Sequence, residues 1–455
     1  MALVSTNPAT GETLAHYPVM SAAEVQEAIA EAHAAFEVWR TWPVRRRAEP
    51  MRRAALLLRD EVAAQARLIS EEMGKPIKQA RAEVEKCAWV CDYYAEHAEA
   101  LLAPQRVQTD AYKSFVSYRP LGVVLAVMPW NFPLWQTFRF AAPSLMAGNG
   151  ALLKHAPNVT GCALATEALL RRAGFPEGLF RALRIEVDQV EGVLDHPHVV
   201  AATLTGSTRA GAAVAALAGA RLKKTVLELG GSDPYVILED AELELAVEAC
   251  AVGRLQNSGQ SCIAAKRFIV VAPLVERFTE RLVARFRACC MGDPRDEATE
   301  LGPQAREDLR EALHRQVTRS VEAGAELLLG GTLPEGPGYF YPATVLGGVR
   351  PGMPAFDEET FGPVAAIVRA EDEEEAIALA NRSPYGLGAA VFTRDRSRGE
   401  RIAEERLEAG SCFVNAFVRS DPRLPFGGIK RSGYGRELAA FGIHEFVNVK
   451  TVYVA

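Results

Sequence analysis

The chain has 455 residues, 49% of them hydrophobic and 24% charged, which supplies large cores and excludes disordered, collagen-like and coiled-coil classes. A balance of 51 basic against 57 acidic side chains, net −6, gives no field to gather nucleic acid or an anionic membrane. A small molecule is therefore the expected partner, and at about 100–200 residues per domain more than one domain is expected, with clefts between them. The eight cysteines include no CxxC pair, so neither a disulfide scaffold nor a zinc site is expected, and no metal is assigned. The opening MALVSTNPATGETLAHYP lacks the basic and apolar regions of an export signal, and no apolar stretch is long enough to span a bilayer. A cytoplasmic location is the expectation.

Residues 21–103 are Ala-rich and charged with helical periodicity, which predicts two or three amphipathic helices with Ser21 and Asp60 as caps. From Phe115 the pattern changes to short β-rich runs, SFVSYRP and GVVLAVMP, followed by the helical WQTFRFAAPSLMAG and the strand ALLKHAP. Alternation continues through CALATEALLRRAG, HVVAATLTGS, RAGAAVAALAGA and KTVLELGG, the texture of a parallel sheet with helical crossovers. A second α/β set follows, with helices AELELAVEACAVGRL and LVERFTERLVARFRACC and strands KRFIVV, ATVLGG, PVAAIVRA and AAVFTRD. The acidic run Glu371 to Glu375 reads as the start of a solvated helix. The expected partition is a nucleotide-binding domain at 1–107 and 126–229 and a catalytic domain at 230–432. Residues 108–125 and 433–455 are left as strands suited to pairing between subunits.

Four positions carry candidate chemistry. Cys262 lies in the small, polar setting NSGQSCIAAK, just before a strand. Glu228 closes the apolar strand TVLELGG, where a carboxylate costs solvation and so needs a reason to be there. Asn131 sits in the rigid turn Pro-Trp-Asn-Phe-Pro, where a fixed amide can donate to a developing oxyanion. GSTRAG, Gly206 to Gly211, follows a strand and opens a helix, so its backbone N–H groups can receive a phosphate despite departing from GxGxxG. Lys154 ends another strand, Glu359 and Phe361 stand in FDEETFGPV, and RLPFGGIKRSGYGRE is a glycine-dense loop.

In this order, PWNFP, LLKHAP, TGST, LELGG, GQSC, EETFGP and PFGGIKRSG span essentially the whole chain, and together they resemble the aldehyde dehydrogenase superfamily. KHAPN, GSTRAG and SDPRLPFGGIKRSGYGRE are most similar to the short bacterial succinate-semialdehyde dehydrogenases. The resemblance implies an α/β fold of two Rossmann-like parallel-sheet domains with a small β oligomerisation appendage, assembled as a homodimer or homotetramer. It implies Cys262 as nucleophile, Asn131 and the Cys262 N–H as oxyanion donors, and Glu228 as general base for thioester hydrolysis. It further implies NAD or NADP held by Trp130, Lys154, Thr205, Gly206, Ser207, Gly211, Glu359 and Phe361. Pro157 stands where many NAD-preferring relatives have Glu, which admits NADP, and FRALRIEVD replaces the usual glycine-rich loop.

A succinate-semialdehyde enzyme must also bind a distal carboxylate. Arg139 matches one arginine of such enzymes, Gln256 replaces the second, and Ser420 matches the third contact. Arg419 or Arg423 can supply the lost charge, with Phe426 beside the substrate. Rival readings are the same chemistry on another aldehyde, a CoA-acylating relative, disfavoured because Glu228 is present, and a cysteine hydrolase, disfavoured because no histidine lies in a supporting motif. A non-catalytic binding protein on the same fold is the reading from another class.

Overall fold

The computed structural model describes residues 2–455. Strands β1 (Ala2–Thr6) and β2 (Thr13–Pro18) form an antiparallel pair. Helix α1 (Ala22–Trp39) begins at a reciprocal cap, in which Ser21 Oγ accepts from the Glu24 N–H and the Glu24 carboxylate accepts from the Ser21 N–H. Helices α2 (Val44–Asp60), α3 (Val62–Met73) and α4 (Ile77–Leu101) follow. Asp60, an expected cap, is instead the last residue of α2: the helical geometry breaks one position later, at Glu61.

Next come β3 (Gln105–Arg106), β4 (Lys113–Pro120), β5 (Val123–Met128), α5 (Pro133–Ala147), β6 (Gly150–His155), α6 (Thr160–Arg172) and β7 (Phe180–Ala182). The alternation continues with α7 (Val190–Asp195), β8 (Val199–Thr205), α8 (Thr208–Ala220) and β9 (Lys224–Glu228). The second half holds β10 (Asp233–Ile237), α9 (Leu243–Leu255), β11 (Ala265–Val271), α10 (Val275–Arg287), α11 (Glu307–Glu322), β12 (Glu326–Leu329) and β13 (Thr344–Gly347). It ends with α12 (Pro354–Asp357), β14 (Val364–Ala370), α13 (Glu373–Asn381), β15 (Tyr385–Gly386), β16 (Gly388–Phe392), α14 (Arg396–Arg401), β17 (Ser411–Val414), β18 (Ile429–Lys430), β19 (Gly433–Tyr434), α15 (Ala439–His444) and β20 (Val447–Val454).

The strands sort into two large sheets. One has the order β19-β9-β8-β5-β6-β7, parallel except at β19, and the other β12-β13-β14-β11-β10-β16-β17, parallel except at β12. The central strands are buried on both faces, which is why they read as continuous apolar runs rather than alternating ones. Each sheet organises its own core, the first running from Met20 to Leu229 and the second from Tyr235 to Val418. The chain then returns, because Phe426, Leu438, Ile443 and Phe446 fill the first core.

That return corrects the expected partition. Residues 433–455 are not one appendage: β19 extends the first sheet beside β9, and α15 packs on α5. Only β20 joins β4 and β3 in a separate three-stranded antiparallel sheet, in register from Val447 opposite Pro120 to Val454 opposite Lys113. At the other boundary, Gly122 (φ +149°) turns the chain, so residues 123–125 open β5 and belong to the first sheet. Gln105–Arg106, expected within the nucleotide-binding domain, pairs with β4. The apolar run Lys224–Leu238 is likewise divided into β9 and β10, in different sheets, by the Gly230–Gly231 turn. A Cβ on Gly231 would lie 2.6 Å from the Cys262 carbonyl oxygen, so this turn presses directly on the loop of the candidate nucleophile.

Candidate active site

Cys262 is delivered by a strained loop after α9. Asn257, Ser258 and Gly259 all adopt left-handed backbone, with φ of +55°, +55° and +73°, a conformation stabilised here by many contacts. Asn257 Nδ2 donates to the Asn131 and Gln260 carbonyls, Gln260 Oε1 accepts from the Ala305 N–H, and buried Arg254 donates to the Gly259 carbonyl at 2.6 Å. Buried Lys266 Nζ gathers the carbonyls of Ser261, Cys262 and Ala264, fixing the backbone on both sides of the sulfur. Gly259 meets the loop carrying Glu359 and Phe361 so closely that a Cβ would lie 2.2 Å from the Gly362 carbonyl oxygen.

Asn131 is set by the turn from β5 into α5. The first turn of α5 is held by Glu83 of α4, whose Oε1 accepts from the N–H groups of Leu134 and Trp135, while its other oxygen pairs with buried Lys75. Asn131 Nδ2 donates one hydrogen to the Gln260 carbonyl at 3.1 Å. The second amide hydrogen has no acceptor among the described residues.

Two cavities meet at Cys262. One, about 270 Å³, is walled by α4, α5 and the segment 419–426, and its lining includes Lys86, Trp135, Arg139, Ser420 and Phe426. The other, about 230 Å³, is lined by Trp130, Asn131, Thr205, Gly206, Ser207, Glu359 and Phe361. Only Gln136 and Cys262 border both. Cys262 therefore stands between the two cavities.

Burial pushes the Cys262 thiol up to about 12, with Arg139 and Lys266 opposing the rise. Glu228, at the C-terminal end of β9, is 2% exposed, and neither carboxylate oxygen has a hydrogen-bond partner among the described residues. Burial raises its pKa well above the ordinary range, Arg139 lowers it and Glu437 raises it further. Its carboxylate is tucked against Gly427 and borders neither cavity, yet its field acts on the thiol. In the second cavity, Glu359 accepts from the Gly231 N–H and lies 4.0 Å from Lys266, and Phe361 meets Trp130 edge to face.

The remaining expected positions divide. Thr205, Gly206 and Ser207 line the second cavity, with Ser207 capping α8 through the Ala210 N–H. Gly211 does not: a Cβ there would lie 2.4 Å from Leu229, so this glycine lets α8 pack against the end of β9 instead. Lys154 stands one strand away, beside Val127, and its Nζ donates to the His155 carbonyl. Burial lowers its pKa and the Glu186 carboxylate raises it, so the acid near Lys154 comes from the FRALRIEVD segment rather than from position 157.

Gln256, Ser420 and Phe426 line the first cavity as expected. Arg423 does not: it is exposed and committed to Asp421 through two hydrogen bonds, at 2.8 and 2.6 Å. Arg139 lines the cavity but is not a free cation, since it pairs with buried Glu437, donates to Thr205 Oγ1 at 3.2 Å and lies over the Phe426 ring. Glu437 and Lys86 are among the residues that escaped the sequence reading. Glu437 sits in the quoted GYGRE, and its partner could not be read from a chain position so distant. Lys86 had a signal in the sequence, since Lys78, Ala82 and Lys86 recur at four-residue spacing on one face of α4.

The chain matches the Aldehyde dehydrogenase family over residues 2–452. This protein belongs to the aldehyde dehydrogenase family. Among curated relatives of this aldehyde dehydrogenase is the succinate semialdehyde dehydrogenase [NAD(P)+] Sad of Escherichia coli (strain K12), 51% identical over 450 residues, covering 99% of this chain and 97% of the relative. A probable succinate-semialdehyde dehydrogenase [NADP(+)] of Synechocystis sp. (strain ATCC 27184 / PCC 6803 / Kazusa) is 50% identical, with both chains fully covered. Among solved structures, succinic semialdehyde dehydrogenase from Streptococcus pyogenes in complex with NADP+ superposes with a TM-score of 0.97 at 37% identity, again with both chains fully covered. The aldehyde dehydrogenase has no helix, among the described residues, that is long and apolar enough to cross a membrane.

Proposed function

We propose that this aldehyde dehydrogenase oxidises succinate semialdehyde to succinate with NAD+ or NADP+. The observation that carries the reading is the single thiol shared by two cavities, one of them lined by four cations, Lys78, Lys86, Arg139 and Arg419, against one carboxylate, Glu83. The substrates named for the curated relatives agree with such a cavity.

The second cavity suits a dinucleotide. A Cβ at Gly206 would meet only Leu204 within 4 Å, so the backbone before the 13-residue α8 is open to a pyrophosphate at a helix N-terminus. Thr205, Gly206 and Ser207 would hold the phosphates, Glu359 the hydroxyls of the nicotinamide ribose, Trp130 and Phe361 the ring, and Lys154 the adenosine ribose. Pro157 admits a 2′-phosphate and Glu186 suits a free 2′-hydroxyl, which supports use of both cofactors.

Cys262 loses its proton to solvent water and its sulfur attacks the aldehyde carbon, while the oxyanion takes hydrogen bonds from the second Asn131 amide hydrogen and the Cys262 N–H. Held by the residues of the second cavity, NAD+ or NADP+ would supply the hydride-accepting chemistry that converts the carbon on sulfur to a thioester. Glu228, once ionised, turns from its unpartnered pocket and takes a proton from the attacking water; the C–S bond breaks, the proton of the product acid passes to the thiolate, and carboxylate and thiol separate. Lys266 and Arg254 hold the loop still throughout, since a displacement of about 1 Å in such a geometry costs roughly 100-fold in rate. Eight free cysteines support a reducing, cytoplasmic location, and the exposed edge of β20 supports a homodimer or homotetramer.

Initial rates of cofactor reduction on succinate semialdehyde, glutarate semialdehyde, butyraldehyde and benzaldehyde, each with NAD+ and NADP+, test the reading. A kcat/KM at least about 10-fold higher for succinate semialdehyde than for butyraldehyde is expected, the size of one charged hydrogen bond. Equal values for charged and uncharged aldehydes would refute the substrate assignment.

A further inference from the structure

The first cavity holds one partly buried cation that no carboxylate pairs directly. Arg139 is paired with Glu437, and its donors are partly spent on Thr205. Lys78 and Arg419 are exposed, where water screens them. Lys86 is different. It is partly buried on α4, lies 4.4 Å from the centroid of the Trp135 ring, and donates to Ser420 Oγ at 2.8 Å. Among the described residues no carboxylate oxygen lies within 4 Å of its ammonium group.

We propose that Lys86, with Ser420, binds the distal carboxylate of the aldehyde and so supplies the charge that Gln256 cannot. An ammonium has three donors, of which one is used on Ser420. The Ser420 hydroxyl accepts that bond and keeps its own hydrogen, so both groups present a donor to one anion. Trp135 and Phe426, which share the lining, pack against the carbon chain between the carboxylate and Cys262. A cation kept from water and without a counter-ion is also strained in the charged state: burial and Arg139 bring Lys86 down to about 8, and Cys87, Asp421 and Glu83 oppose the shift. An anion bound there relieves that strain. The assignment rests on the reading of the substrate as a carboxylate-bearing aldehyde.

The readout is the ratio of kcat/KM for succinate semialdehyde to that for butyraldehyde, measured in the wild type, Lys86→Gln and Lys86→Arg. The ratio is expected to fall about 10- to 100-fold in Lys86→Gln, the range of a hydrogen bond to a charged group, and to recover most of its value in Lys86→Arg. A wild-type ratio near one removes the substrate reading and this assignment together. A high wild-type ratio that survives in Lys86→Gln removes Lys86 alone. A measurement on the unaltered enzyme guards against a variant that does not fold, with succinate as inhibitor competing against butyraldehyde. Inhibition should weaken as pH rises through about 8, where Lys86 loses its proton; the other ionisable groups that act on it are Arg139, Cys87, Asp421 and Glu83. Inhibition that is unchanged between pH 7 and pH 9 overturns the proposal.

Discussion

Cys262 and Glu228 are two acids whose ionisation the fold opposes, since burial raises the pKa of each. A thiol at about 12 is a poor nucleophile at neutral pH, so each unit of pH recruits more of the reactive form. With an uncharged aldehyde, for which Lys86 is silent, kcat/KM should rise from pH 6 through pH 9 without a falling limb. A flat profile over that window would show that neither group titrates in the rate-limiting form. The same residues show what local sequence reveals. Cys262, Glu228 and Asn131 could be singled out as candidates because each lies in a short segment whose texture changes abruptly at the residue itself. The state of Arg139 was not legible, since its partner Glu437 arrives only when the chain returns to the first core. Gly211 was misread for a related reason: a glycine at a helix start serves equally to admit a phosphate or a neighbouring leucine, and only the position of Leu229 decides.

At the level of elements, the loop after α9 and the turn before β14 behave as one piece, because the Gly259 backbone rests on the Gly362 carbonyl. Gly259→Ala places a Cβ in left-handed backbone, costing about 1–2 kcal/mol, and drives it into a carbonyl that cannot move aside. Thermal unfolding should occur at lower temperature, and kcat should fall at least about 10-fold as the sulfur and the Glu359 loop separate. A variant with wild-type kcat would show that the two loops move independently. The strands of both large sheets were legible as apolar runs, whereas their order was not. The division of Lys224–Leu238 into two sheets depends on a glycine turn whose tightness is set by the Cys262 loop, a contact between distant parts of the chain.

On the scale of the whole molecule, the three-stranded sheet ends in β20, an eight-residue edge strand with an unpaired side. Val449 and Tyr453 are 61% and 54% exposed there, an apolar edge of the kind that single proteins usually protect. Val449→Lys together with Tyr453→Lys should shift sedimentation from a dimer or tetramer towards the monomer. A wild-type protein already monomeric at micromolar concentration would contradict the assembly. That this strand stands apart from β19 and α15, although all three lie in the last segment, was invisible in a terminus that reads as uniformly short and mixed.

The two cavities touch at a single sulfur and a single glutamine, and otherwise draw their walls from different parts of the fold. One wall consists mainly of α4, α5 and the stretch after β17, and the other of strand ends and the α8 turn. Substitutions in either set should leave the other wall in place, except at Arg139, whose guanidinium donates to Thr205 of the other cavity. A lineage carrying this architecture can exchange the compound it consumes without relearning how to hold its oxidant, and a protein engineer inherits the same freedom.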